Sequence, residues 1–142
     1  MKMNKKLFAF GAALLIAVGA LTTVSASYVI ADKYQTVTAV DIPGWGAAKY
    51  NTTLGSKKSN SILIATFKKV KSEAALGNYV YLTTSGKSKV STSVGLYTTS
   101  QWVSENSSVK SGTVYYSAIK SSALEPSNTC DATYKFSANK LN

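Results

Sequence analysis

The sequence predicts an all-β protein, a single antiparallel β-sandwich of about seven to eight short strands, on three observations. Beyond the amino terminus no stretch carries a helical period. Ser, Thr, β-branched and aromatic residues recur along the chain, and turn residues interrupt them at roughly 8–12-residue intervals. Two stretches, 89–98 and 130–138, alternate apolar and polar side chains with period two, which gives a strand one dry face and one wet face.

The amino terminus reads differently. Lys2, Lys5 and Lys6 precede an apolar run from Leu7 to Leu21, Thr22-Thr23 breaks the run, and Val24-Ser25-Ala26 follows. A charged start, an apolar middle and a small-residue cleavage site form the pattern of a secretion signal, here with its cut expected after Ala26. A permanent spanning helix wants about 20 apolar residues, and this run is shorter. No Cys follows it, so a lipid-anchored form is not expected. The division is therefore a signal peptide over 1–26 and one secreted β-sandwich domain, immunoglobulin-like or related, over 27–142, which is enough chain to bury a core without staples.

Within that domain Tyr34–Ile42 reads as the first strand, stopped by Pro43-Gly44, and Ala47–Thr53 as the second, before a polar loop from Leu54 to Asn60. Ser61–Val70 is the third, with Leu63, Ala65 and Phe67 on one face. Asn78–Thr84 and Lys89–Thr98, joined by Ser85-Gly86-Lys87-Ser88, give the strongest hairpin signal. Gln101–Ser104, Thr113–Lys120 and Thr129–Ala138 complete the set, with at most a helical turn at Glu73–Leu76. The expected core is Val80, Leu82, Val94, Leu96, Val114, Tyr134 and Phe136.

Composition restricts the chemistry. The chain has no His and one Cys, which excludes His-dependent triads and His–metal sites and leaves no set for a structural zinc cluster within a monomer. No Gly-rich phosphate loop occurs. The six acids, Asp32, Asp41, Glu73, Glu105, Glu125 and Asp131, are scattered and read as solvated surface carboxylates. We therefore expect no enzyme, no catalytic residues, no cofactor and no metal. The net charge is +10, all of the positive charge is Lys, and Arg is absent. Lysine attracts polyanions diffusely but lacks the planar fork that fixes phosphates and guanine edges, so specific nucleic-acid recognition is not expected.

The residues expected at a ligand or surface contact are Trp45, Lys57, Lys58, Lys68, Lys69, Lys71, Tyr115 and Tyr116. Trp45 lies in the turn Ile42-Pro43-Gly44-Trp45-Gly46, where an indole is either displayed or folded back over the end of the sandwich. On a regular strand Lys69 and Lys71 would share a face opposite Lys68. Tyr115 and Tyr116, adjacent in one strand, must point to opposite faces. Trp102 reads as core. Cys130 shares the apolar face of its strand, so a buried thiol is expected over a homodimer bridged through it.

The lysine-rich leader ending near Val-Ser-Ala, the Ser/Thr/Tyr-rich body and the segment Val109-Lys110-Ser111-Gly112-Thr113-Val114-Tyr115 resemble small secreted proteins of Gram-positive bacteria. In style they are similar to the lactococcin-972-type bacteriocins, although the Trp/His-rich composition of that type is missing and no motif is diagnostic. The expected function is a secreted, non-enzymatic binding protein of the cell envelope whose Lys-rich surface contacts anionic wall polymer or membrane. The resemblance adds an alternative, a bacteriocin-like antimicrobial protein acting on competitor cells.

Overall fold

The computed structural model describes residues 33–125 and 129–142. The leader, its cleavage site and Asp32 lie outside the described residues. Eight strands form: β1 (Gln35–Ile42), β2 (Ala48–Lys57), β3 (Ile64–Ser72), β4 (Asn78–Thr83), β5 (Val94–Gly95), β6 (Gln101–Ser104), β7 (Val114–Ser121) and β8 (Cys130–Ser137). They make two packed four-stranded sheets, β1-β8-β3-β6 and β2-β7-β4-β5, with every pairing antiparallel. The all-β sandwich read from the sequence is the fold.

The period-two pattern of β8 sets the core. Cys130, Ala132, Tyr134 and Phe136 are all buried and face the second sheet, and Ala138 continues the series. Phe67 from β3 stacks on Phe136 with ring centroids 6.0 Å apart, and Val80, Leu82 and Ile119 meet them from the other sheet. Fully burying one such side chain contributes about 1.5–3 kcal/mol. The Tyr134 hydroxyl reaches across to Ser117 Oγ at 2.8 Å, which joins the sheets through a satisfied polar contact. Burial raises its pKa far above the ordinary tyrosine value. Leu96 is buried as expected, whereas Val94 and Val114 are only partly covered.

The segment 89–98 departs from its expected role as one hairpin arm. Only Val94–Gly95 pairs as a strand, with isolated bridges at Lys89 and Ser91. The backbone first follows β4, with Val90 N donating to Leu82 O. It then crosses to the other sheet, where Thr92 N donates to Ser104 O, and returns so that Leu96 N donates to Asn78 O. Ser91 turns inward and its hydroxyl accepts Leu82 N at 2.8 Å. The segment thus laces the two sheets together along one edge, which an alternation count cannot reveal.

β2 runs through Lys57 into the expected loop, because a register shift between Asn51 and Ser56 lets it resume pairing with Tyr115 and Val114. A second irregularity falls between Lys69 and Lys71, leaving Val70 unpaired in β3. Trp102 is half-exposed rather than core. Its indole Nε1 donates to Leu141 O at 2.8 Å, and Lys140 Nζ lies 4.3 Å from the ring centroid, so the last residues fold back on the outer face of β6.

Candidate functional site

The expected contact residues separate into three groups. Lys58 and Tyr115 are inside the protein. Lys58 directly follows β2, and its backbone pairs with Thr113 and Gly112, which points the side chain into the end of the sandwich. There Nζ donates to Glu105 Oε1 at 2.5 Å, to Ala138 O at 2.8 Å, to Ile64 O at 3.4 Å and to Ile62 O. The side chain has no solvent exposure and forms the one ion pair among the described residues. Lys58 is therefore not a surface contact, and Glu105 is not a solvated carboxylate. Burial pushes the Glu105 carboxyl above the ordinary carboxylate range, against the lowering effect of Lys58. Tyr115 is buried too, its hydroxyl accepting Lys110 N at 2.8 Å.

Trp45 is displayed, with 65% of its surface exposed and a left-handed backbone (φ 59°) that is rare for a bulky residue. It lies at the end of the sandwich that holds the other acids. Trp45 N donates to Glu125 O, and the buried Glu125 carboxylate caps Ala75 N and Leu76 N. Close by, Asp131 accepts Asp41 N while Glu73 accepts Asp131 N. Among the described residues no group of His, Cys, Asp and Glu is arranged to hold a metal.

Of the remaining residues, Lys57, Lys68, Lys71 and Tyr116 fall on the outer faces of the two sheets. The bulge at Val70 places Lys71 opposite Thr133, on the same face as Lys68, while Lys69 pairs opposite inward-facing Tyr134. The expected pairing of Lys69 with Lys71 is thus reversed. Lys68 stands directly opposite Lys135, a like-charge cross-strand pair that disfavours the fold slightly.

On the second sheet, Lys57 and Tyr116 join Tyr50, Tyr79, Tyr81 and Lys120. Cross-strand register sets Tyr50 beside Ala118 and Ala118 beside Tyr81, and sets Lys120 beside Tyr79. Ala118, between Tyr50 and Tyr81 in register, has no exposure. Lys89 Nζ sits 4.8 Å from the Tyr81 ring centroid and Lys87 Nζ 5.4 Å from that of Tyr50, and Tyr81 is buried beneath its neighbours. The Tyr81 hydroxyl is raised to about 12, by burial first and then by its hydrogen bond and charge interaction with Tyr50. The parity of the strands would have shown Tyr79 and Tyr81 together, but the register joining them to Tyr50 is a long-range property.

Beside Tyr50, between β1 and β2, a cleft of about 190 Å³ opens where the sheets part, reaching Leu54 and Tyr134. It is smaller than the roughly 300–1,000 Å³ typical of small-molecule sites. No family model matches this chain, and no curated protein and no solved structure matches it either.

Cys130 is buried, and its thiol pKa is raised by burial, with the negative charges of Glu125, Glu73 and Asp131 adding and a hydrogen bond from Asn78 opposing. A protonated, enclosed thiol is a poor partner for a bridge to a second chain.

Proposed function

We propose that the chain is an exported, non-enzymatic binding protein that engages an anionic polymer of the bacterial envelope. The observation that carries this reading is the absence of charge neutralisation on the sheet faces. Lys68 and Lys135 are set side by side, and among the described residues no surface lysine has a carboxylate within ion-pair distance. The described acids are instead withdrawn, Glu105 into the interior and Asp41, Glu73, Glu125 and Asp131 to one end. Such an arrangement stabilises the fold less than interspersed charges would, and it supports long-range attraction to a polyanion.

Sedimentation of the mature chain with purified cell walls tests this, comparing intact walls with walls stripped of their anionic polymer at low and high salt. The expected result is retention on intact walls that falls steeply with salt and is lost on stripped walls. Retention indifferent to salt, or none, overturns the reading. Equal or stronger uptake by anionic vesicles would move the partner from polymer to membrane.

A further inference from the structure

We infer that the outer face of the sheet β2-β7-β4-β5 is a stacking platform for an acidic polysaccharide, so that the polymer of the proposed reading, on which this rests, is a glycan bearing anionic groups. Five tyrosines converge there: Tyr50, Tyr79, Tyr81, Tyr97 and Tyr116. Neighbouring strands are about 4.8 Å apart and alternate residues along a strand roughly 6.8 Å apart, so the rings tile a continuous strip. Three have a ring in close contact with a neighbouring group. Tyr50 and Tyr81 flank Ala118 in register, and each has a lysine ammonium group over its ring, with Tyr81 only 7% exposed. Tyr97 lies against Gly95, the partner of Tyr79, so closely that a Cβ there would come within 2.9 Å of the ring.

An aromatic ring has a negative π face, which attracts the C–H-lined face of a pyranose as it attracts a cation. Lys87 and Lys89 fill that position in the unliganded protein. The exposed contact of Lys87 with Tyr50 is weak, so a sugar displaces that ammonium group, and buried Tyr81 opens to a sugar only where Lys89 also swings away. The flexible lysine stems then bring the ammonium groups to the carboxylates or phosphates of the same chain. Lys57 and Lys120 supply further positive charge, and none of the described acids lies on this face.

The chemistry also separates a glycan from a lipid surface. Among the described residues the aliphatic side chains on this face are Ala48, Ala118 and Val114, whereas the exposed Ile62, Leu63 and Val70 lie elsewhere. An interfacial membrane surface wants aliphatic side chains to bury, and this face offers hydroxyl-tipped rings.

The test is titration of the mature protein with polygalacturonate, with its fully methyl-esterified form, and with polyphosphate matched for charge. Polygalacturonate is expected to bind at least about fivefold more tightly than either, since the ester lacks charge and polyphosphate lacks sugar faces. Tyr79→Ala and Gly95→Ala, the latter lifting the Tyr97 ring, should each weaken polygalacturonate binding about tenfold and leave polyphosphate binding unchanged. Circular dichroism confirms that each variant is folded, and the half-exposed Tyr79 makes its variant the safer one. Equal binding of both polyanions with silent variants would overturn the platform and leave the charge-based reading standing. Tighter binding of a single-stranded oligonucleotide or of anionic vesicles would also overturn it. Binding to no polyanion at all would remove both.

Discussion

At the end of β2 two consecutive lysines enter opposite environments. Lys57 stays in water beside the tyrosine strip, paired in register with Val114, while Lys58 is enclosed with Glu105 and three carbonyl oxygens around its ammonium group. Enclosing a lysine costs several kcal/mol unless its protons are matched, and here every one has an acceptor. Glu105 Oε2 is buried without a partner, whereas the polar groups around the pair are matched. Asn139 accepts Ser59 N and donates to Lys57 O, Ser56 Oγ accepts Ala138 N, and Thr66 Oγ1 donates to Asn139 O. One end of the sandwich is thus sealed by a polar plug that also fixes the carboxyl-terminal residues, whereas the tyrosine face leaves its charges unmatched. The comparison separates charge that serves the fold from charge that the fold leaves unneutralised.

Breaking the plug gives the largest expected effect. Lys58→Met strands Glu105 and three carbonyls in the interior, and a loss of about 3–5 kcal/mol in urea unfolding is expected. Glu105→Gln removes less, about 1–3 kcal/mol, since the carbonyls still hold Lys58 and an amide oxygen can accept its proton. Equal losses would mean that the carbonyls contribute nothing. The double variant Lys58→Met/Glu105→Leu should recover much of the single loss, as buried pairs exchanged for apolar groups commonly do.

The same pair has a pH signature. Burial raises the Glu105 carboxyl above its unfolded value, so over that interval the folded chain keeps a proton that the unfolded chain has released. Stability from this group is fully present below the unfolded value, about 4.3, and is lost as pH rises through the folded one. The stability of the parent protein minus that of Glu105→Gln should therefore decline as pH increases across this window. A difference that climbs with pH would mean that Lys58, and not burial, dominates the carboxyl.

How much of this could be read beforehand follows from the range of each interaction. β8 and β6 were legible because a two-residue period or a short bounded run is a local property, and β6 falls at Gln101–Ser104 as expected. The 89–98 segment shows the same local signal, yet it divides its hydrogen bonds between two sheets, a choice made by partners far along the chain. Lys58 looked like its neighbour because nothing near it in sequence announces Glu105. Trp102 looked like core because its strand is apolar, whereas its outward parity is fixed only by pairing with Thr66. The tyrosine strip was not legible as a surface, since its residues come from three strands and the segment after β5.

A smaller effect is expected from Tyr134→Phe, which keeps the ring in the core and deletes only the contact to Ser117 across the sheets. About 1 kcal/mol should be lost in urea unfolding. A loss approaching that of Lys58→Met would place the main polar fastening in the middle of the sandwich and not at its end.

The smallest stability effect belongs to Lys57, and it sharpens the comparison most directly. Lys57→Gln alters an exposed side chain outside the ion pair, so unfolding free energy should stay within about 0.5 kcal/mol of the parent protein. Binding should respond nonetheless. If Lys57 contributes to the positive field at the tyrosine strip, each polyanion titrated against the variant releases fewer counterions, and the slope of log affinity against log salt shrinks by up to about one. Polygalacturonate and polyphosphate should show the same change in slope, because the lysine contributes charge and the rings contribute selectivity. Measuring both slopes together with urea unfolding on one preparation separates the two roles. A Lys57→Gln variant as unstable as Lys58→Met would show that Lys57 also fastens the fold, and the contrast between these adjacent residues would fail.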